Sequence, residues 1–431
     1  MNLMAEQYTF SEAEKALTDI KELMRWQHWV KTQVRVGCEL EKEGNPRENL
    51  VSLLSPTQTY DRLGKYNVVN VVRDPSVRGG TEVLVCGTNE AFSTAHQKMT
   101  ELHKLFKRVG LKAGPTAGMH YHLVASQDDD MPEVILKNLY QLVRRYYSGL
   151  LYLTSTGGNP GVTRDRNMSF YHTLHLSLTP SARTMLQVKR EMNSRPGRVA
   201  RYCAFNMGYM DGTIKDLMRF NDDGSVARFH VEFRWPDSSD SPAQVVAQMY
   251  LFRALLMKAV ELSRFGVMNA DSDADQWAKN KQAVIGLAEG RIFGAGTPEE
   301  FDPVPFAQEE ARKLVSALRN HLLNIDGSSL RILEEVVETP VWRRRRKGHS
   351  WDRVERNLLP RDRQLNEDSE QVLRAVLLQQ VTGAGSAKEW KSKAADTLGL
   401  KRARVVSAVK RIEHQVQMVF DRSAGTYMVV W

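Results

Sequence analysis

Between about residues 30 and 234 the chain alternates apolar and polar side chains in short runs broken by Gly, Pro, Asn and Asp. The runs TQVRVGCELE, KYNVVNVV, GTEVLVCG, GMHYHLVA, RYCAFNMG and RFHVEFRW each carry a period of two, which predicts half-buried strands. Helical periodicity intervenes over Ala91–Val109, Pro132–Tyr147 and Pro242–Arg264. Ser11 with Glu14 forms a capping-box pattern that predicts a helix running to about Trp29. A second helical zone, 268–338, contains Phe306–Leu323 and Leu330–Val337. Together these patterns predict an α+β domain, a mainly antiparallel sheet with helices on one side.

Beyond residue 338 the pattern changes. Residues 339–368 are Arg- and Pro-rich and poorly periodic, the mark of a basic linker. A helix over Ser369–Val381 carries Val372, Leu373, Val376 and Leu377 on one stripe. Ser386 and Glu389 make a further capping box, opening a helix to about Thr397. The turn Leu398-Gly399-Leu400 leads into a helix over Lys401–His414, and Val416–Phe420 with Thr426–Trp431 flank a hairpin turn. Three helices followed by a hairpin resemble a winged helix-turn-helix. The expected division is a body over 1–338 (core about 30–265, helical extension 266–338), a linker over 339–368, and a small domain over 369–431.

Charge sharpens that division. Residues 340–431 hold 19 Lys/Arg against 10 Asp/Glu, whereas residues 1–339 balance at 41 of each. The formal net charge of +9 therefore belongs to the tail. An electrostatic case for a polyanion such as DNA exists only for residues 340–431, through the helix bearing Lys401, Arg402, Arg404, Lys410 and Arg411 and the run Arg343–Lys347. Protein docking is the other use of such a module. No apolar run approaches the ~20 residues of a membrane span, and the start MNLMAEQYTFSEAEK is too polar for a signal peptide. Cys38, Cys86 and Cys203 are odd in number and widely spaced, as expected of reduced thiols in a cytoplasmic protein.

The candidate chemistry lies on three of the strands. In Val34–Glu41, Val36, Cys38 and Leu40 share one face while Gly37, Glu39 and Glu41 share the other. In Met119–Leu123, His120 and His122 oppose Met119, Tyr121 and Leu123. In Val231–Trp235, Glu232 and Arg234 oppose Val231, Phe233 and Trp235, with His230 on the polar side. Each strand lays an apolar side on a core and presents ionic groups opposite. Three carboxylates and two imidazoles gathered on one face repel unless a cation sits among them, and oxygen-rich ligation suits Mg²⁺ or Mn²⁺.

These runs also resemble a family. GMHYHL is similar to the G-M-H-x-H strand of glutamine synthetases, VEFRWPDSSDSP to their E-x-R-F-P-D-x-S-x-N-P segment, and VGCELE to their G-x-E-x-E strand, in the family's order over about residues 30–265. The spacing is shorter and no separate N-terminal β-grasp domain is evident. The chain thus looks like the compact carboxylate–amine ligases known as amidoligases. The resemblance implies a glutamine-synthetase-like catalytic domain, with a curved sheet backed by helices, that uses ATP and Mg²⁺ or Mn²⁺. It implies metal coordination by Glu39, Glu41, Glu82, His120 and Glu232, and contact of His122 with ATP phosphates. Arg234 would hold the transferred phosphoryl group, and Arg164, Arg201 and Asn206 would contact phosphates. The partners implied are a carboxylate and an amine, on a small molecule, peptide or protein side chain, and such enzymes often assemble as homo-oligomers.

A carboxylate is a poor electrophile, so phosphorylation by ATP must precede attack by an amine. The Gly-rich stretch Thr156–Gly161 is a candidate flap that would shield the activated carboxylate from water. Two other classes fit parts of the pattern. Cupin-type metal enzymes use H-x-H with a third histidine, for which His172, His175 and His230 are candidates. A non-catalytic DNA-binding regulator or assembly protein would use the C-terminal module alone.

Overall fold

The computed structural model describes residues 8–45, 50, 68–75, 77, 79–88, 90–114, 117–125, 130–155, 184–194, 204–207, 218–270, 274–288, 303–339, 367–377, 379–413 and 418–429. Two compact units divide at Arg353/Val354. In the first, helix α1 (Ile20–Thr32) leads into strand β1 (Val34–Lys42), followed by β2 (Val68–Asp74) and β3 (Gly80–Thr88). Helix α2 (Phe92–Val109), strand β4 (Met119–Ala125), and helices α3 (Glu133–Arg145), α4 (Tyr147–Thr154) and α5 (Met185–Ser194) come next. Strands β5 (Phe205–Asn206) and β6 (His230–Phe233) precede helices α6 (Pro242–Leu262), α7 (Ala274–Ala288), α8 (Pro303–Ile325) and α9 (Gly327–Glu338).

The six strands form one sheet in the order β2-β3-β1-β4-β6-β5, every neighbouring pair antiparallel. Helix α6 is the centre of its apolar side and is buried along nearly its whole length. Pro242 stands in its first turn, and the Ser241 side chain caps it by accepting from Gln244 N. Phe252 of α6 stacks on Phe233 with centroids 4.3 Å apart and meets Tyr121 at 5.0 Å. Tyr121 Oη donates to Gln248 Oε1 at 2.8 Å. The apolar residues of β1, β4 and β6 are thereby fixed on the helix side.

Arg253, buried in α6, ties α1 to the start of β1. Its Nη2 donates to the carbonyls of Val30, Lys31 and Val34 at 3.1, 2.5 and 2.9 Å. Those of Val30 and Lys31 are carbonyls that the end of a helix leaves without partners, and that of Val34 opens β1. At the other end of β1, buried Lys42 donates to Ser239 O (2.5 Å) and to Asp240 Oδ1 (3.1 Å). Both ends of the central strand are therefore held by buried cations.

The expected helix from Ser11 to Trp29 is not what forms. Ser11 pairs with Val267 in a two-residue ladder, only Ala13–Lys15 makes a short 3₁₀ turn, and α1 begins at Ile20, capped by Asp19. Tertiary pairing has displaced the local cap. Among the described residues no helix is long and apolar enough to cross a membrane.

The second unit contains helices α10 (Glu367–Leu377), α11 (Ala387–Leu398) and α12 (Arg402–Glu413) and a hairpin of β7 (Met418–Asp421) and β8 (Thr426–Val429). Its core centres on Trp390, whose Nε1 donates to Val381 O at 2.9 Å and whose ring meets Tyr427 at 5.0 Å. The predicted Ser386 cap is present, with Ser386 Oγ accepting from Glu389 N, while Glu389 Oε2 accepts from Gly385 N, one residue before the cap. Gly425 has φ +62°, and a Cβ there would come within 2.5 Å of Ala384 N, so the hairpin turn requires glycine.

Replacing Arg253 strands several buried carbonyls at once. Arg253→Leu is expected to destabilise the first unit by about 3 kcal/mol, measured as a lowered denaturant midpoint with the transition of the Trp390 unit unmoved.

Candidate active site

The face of the sheet opposite α6 carries the ionic residues, and strand register determines which of them meet. In an antiparallel pair, residues directly across from each other point to the same side. Glu39 lies across from His120, Glu41 across from Glu82, and His122 and Asn206 both across from Glu232. These residues therefore form a continuous polar strip running across five strands.

His120 is at its centre, buried. Its Nδ1 lies 2.6 Å from Glu39 Oε2 and 3.1 Å from Glu232 Oε1, and its Nε2 lies 3.3 Å from Glu41 Oε1. Burial and the Arg234 guanidinium oppose charge on this imidazole, but its bonds to Glu232 and Glu39 raise it to about 9. It is thus an imidazolium at neutral pH, ringed by three carboxylates. Arg234 Nη1 donates to Glu232 Oε1, and Asn206 Nδ2 donates to Glu232 Oε2 at 2.7 Å. Burial works against ionisation of Glu232, yet Arg234 and His120 hold its carboxyl below the usual range. For Glu39, burial is likewise outweighed by the hydrogen bond with His120 and the nearby His122 ring. Gly118 N donates to Glu41 Oε2 at 2.8 Å, which orients that carboxylate.

His122 Nε2 lies 3.2 Å from Glu39 Oε1, and its Nδ1 lies 3.0 Å from His230 Nε2. Burial, then the neighbouring His122, pulls His230 down to about 4, so it is neutral. Further along the strip the balance of charge reverses. Burial, then Glu39, with Glu41 and Asp74 adding, pushes the Glu82 carboxyl up to about 8, against the pull of His120.

Two groups of donor atoms each converge within 4.8 Å: Glu39, His122 and Glu232, and Glu41, Asp74 and Glu82. His120 lies between them. Both groups are dominated by carboxylate oxygen, the donor chemistry of Mg²⁺ and Mn²⁺ more than of Zn²⁺ or Fe²⁺. Carboxylates crowded around a buried imidazole from three sides make a site suited to positive charge.

Seven of the predicted site residues, Glu39, Glu41, Glu82, His120, His122, Glu232 and Arg234, come together on this strip, and Asn206 joins it through Glu232. Arg164, Arg201, the Thr156–Gly161 stretch, His172 and His175 lie outside the described residues. Asp74 is a site residue that the strand patterns did not reveal. Val72 shares its side of β2, across from Glu82, so alternation there is not polar. Only the β2–β3 register, with Asp74 across from Gly80, brings it beside Glu82.

No protein-family model matches the chain, and no curated protein matches it in sequence. Among solved structures it is similar to a bifunctional glutathione synthetase from Pasteurella multocida (12% identity, TM-score 0.43), with 87% of this chain covered and 58% of that one. The chain thus spans little more than half the length of that enzyme. The complex of the prokaryotic ubiquitin-like protein Pup with its ligase PafA also matches (11% identity, TM-score 0.35, 97% of this chain and 88% of that one). So does apo GmaS (12%, 0.35, 75% and 76%). At these scores the likenesses are loose and no function transfers from them.

The Glu82 carboxyl gives a pH prediction for protein kept in chelator. The unfolded chain releases this proton near the ordinary 4.5, whereas the fold retains it to about 8. Between those values the folded state binds more protons, so this group makes stability fall as pH rises. Glu82→Gln is expected to flatten that fall, read as melting temperature against pH from 5 to 9, and added Mn²⁺ to flatten it in the unsubstituted protein.

Proposed function

We propose that the first unit is an ATP- and Mg²⁺- or Mn²⁺-dependent ligase that joins a carboxylate to an amine through an acyl phosphate. The observation that carries this reading is the meeting of Glu39, His120 and Glu232, from three separate strands, within 2.6–3.1 Å. The motif resemblance over residues 30–265 adds the reaction class. Glu39, Glu41, Glu82, Asp74, His122 and Glu232 are the residues that would hold divalent ions, with His120 between the two groups. Such ions, when bound, neutralise phosphate charge during phosphoryl transfer.

The protein's own part is positioning and charge. A substrate carboxylate oxygen attacks the γ-phosphorus of ATP, the bond to ADP breaks, and ADP leaves. The amine nitrogen then attacks the acyl carbon, and the C–O bond breaks with its electron pair going to the departing phosphate. The surplus proton of the amine passes to a base. Arg234 suits the transferred phosphoryl group: it is buried on the polar strip, and its Nε has no hydrogen-bond partner among the described residues. The oxygen-rich donor set favours this reading over a cupin-type site, since His230 meets His122 rather than joining it around a common point.

For the second unit we propose contact with a polyanion such as duplex DNA, in the manner of a winged helix. Lys401, just before α12, and Arg402 and Lys410 on it are exposed, while Val405, Ala408, Val409 and Ile412 are buried beneath. Arg404 is committed elsewhere, since its guanidinium makes two bonds to Asp368, at 2.7 and 2.6 Å.

Release of ADP in the presence of Mg²⁺ or Mn²⁺, across a panel of amines and carboxylic acids, tests the ligase reading. Glu232→Ala is expected to lower turnover about 100-fold or more; undiminished turnover would remove Glu232 from the mechanism. For the second unit, Lys401→Ala/Arg402→Ala/Lys410→Ala in the full chain should weaken duplex binding regardless of sequence. The slope of log affinity against log salt should fall by about 1 for each phosphate that is no longer neutralised. An unchanged slope argues for protein docking instead.

A further inference from the structure

Asn206 lies in the two-residue strand β5, directly across from Glu232. Its Nδ2 donates to Glu232 Oε2 at 2.7 Å. An amide oxygen turned toward an ionised carboxylate would be repelled, so the negative charge of Glu232 itself fixes which way the amide faces. The other carboxylate oxygen, Oε1, accepts from Arg234 Nη1 and lies 3.1 Å from His120 Nδ1. The two oxygens of Glu232 thus have different partners: a neutral amide on one, the Arg234 guanidinium and the His120 ring on the other.

That difference matters when a divalent ion approaches. The Arg234 guanidinium is positive and competes with the ion for Oε1, beside which the His120 ring also lies. Asn206 carries no charge and has no reason to leave Oε2. The backbone behind it is well anchored: Phe205 packs edge-on against Phe233 (5.7 Å) and Tyr140 (5.2 Å), and Arg234 N donates to Ala204 O at 3.0 Å.

We propose that Asn206 is a positioning residue that locks the plane of the Glu232 carboxylate, so that Oε1 alone is presented to a divalent cation. The proposal rests on the metal-dependent ligase reading and assigns Asn206 a different task from the phosphate contact that the family resemblance implies. Outer partners of a metal ligand commonly govern affinity by 10–100-fold. A lock on Glu232 should therefore show in metal binding before any nucleotide is present.

The test is Mn²⁺ binding to the full-length, nucleotide-free protein by titration calorimetry, with melting in chelator to verify folding. Asn206→Leu keeps the side-chain shape without a donor and is expected to raise the Mn²⁺ dissociation constant about 10–100-fold. At saturating Mn²⁺ the KM for ATP should stay within about threefold of the unsubstituted value. Asn206→Ser keeps a donor of shorter reach and should lose less, about three- to tenfold; it carries the test if the leucine variant does not fold. Mn²⁺ binding unchanged in the folded variants overturns the proposal, and a raised KM for ATP alongside it would assign Asn206 to the nucleotide. An unsubstituted protein that binds no Mn²⁺ removes the metal-centre reading, and this proposal with it.

Discussion

Negative charge crowded onto one face of the central sheet is the constraint around which the first unit is organised. Two unit charges 4 Å apart interact by about 4 kcal/mol at an effective dielectric near 20. Glu39, Glu41, Asp74, Glu82 and Glu232 cannot all remain ionised without compensation. Toward β6 it comes from the protein, through His120 and Arg234, and Glu39 and Glu232 are held ionised. Toward β3 it comes from a proton, which Glu82 keeps. The crowding on the polar strip is therefore offset in part by fixed cations at one end and by a retained proton at the other.

Such a strip is stable only if the opposite face leaves no freedom of register. A slip of one residue in β1, β4 or β6 would turn carboxylates into the core and apolar groups outward. Several features prevent it. Phe233, Tyr121 and Phe252 interlock on the helix side, Arg253 pins the entry to β1, and Lys42 pins its exit. Lys42 illustrates the coupling. It follows Glu41 in the strand, so it points to the other face, where its ammonium binds the Ser239–Asp240 loop. Ser238 of the same loop donates to Glu41 O at 2.6 Å. The segment after the E-x-R strand thus buttresses the E-x-E strand from behind, which gives a structural reason for the two motifs to occur together.

Much of this was legible in the chain because a strand period of two sorts residues by face with no knowledge of the fold. Glu39, Glu41, His120, His122, Glu232 and Arg234 all declared themselves in that way. What the pattern does not carry is lateral register. Asp74 sits beside Glu82 only because β2 pairs with β3 as it does. Local signals also yielded to tertiary ones. The Ser11–Glu14 box reads as a helix start, but Ser11 pairs with Val267 instead, and Glu12 adopts φ 52° with its carboxylate held by buried Lys137 at 3.0 Å. In the second unit, where contacts are short-range, Ser386 caps its helix as its sequence dictates, with Glu389 reaching back to Gly385 N. Asn206 is an intermediate case: its place near the site was readable, but its bond to Glu232 depends on a two-residue strand that no periodicity can define.

The second unit shows why counting charges differs from locating a binding surface. Residues 340–431 supply the whole net charge of +9, and the arginines of α12 look equivalent in sequence. They are not equivalent in the fold. Arg404 commits its guanidinium to Asp368 through two bonds and fastens α12 to α10. A guanidinium with a bidentate carboxylate partner is electrically neutral at a distance and would give up two charge-assisted bonds to reach a phosphate. Lys401, Arg402 and Lys410 have ends in solvent, where attraction to a polyanion needs no such exchange. On α12 the surface available for electrostatic attraction is therefore smaller than its basic residues alone imply, because Arg404, though exposed, is paired with Asp368.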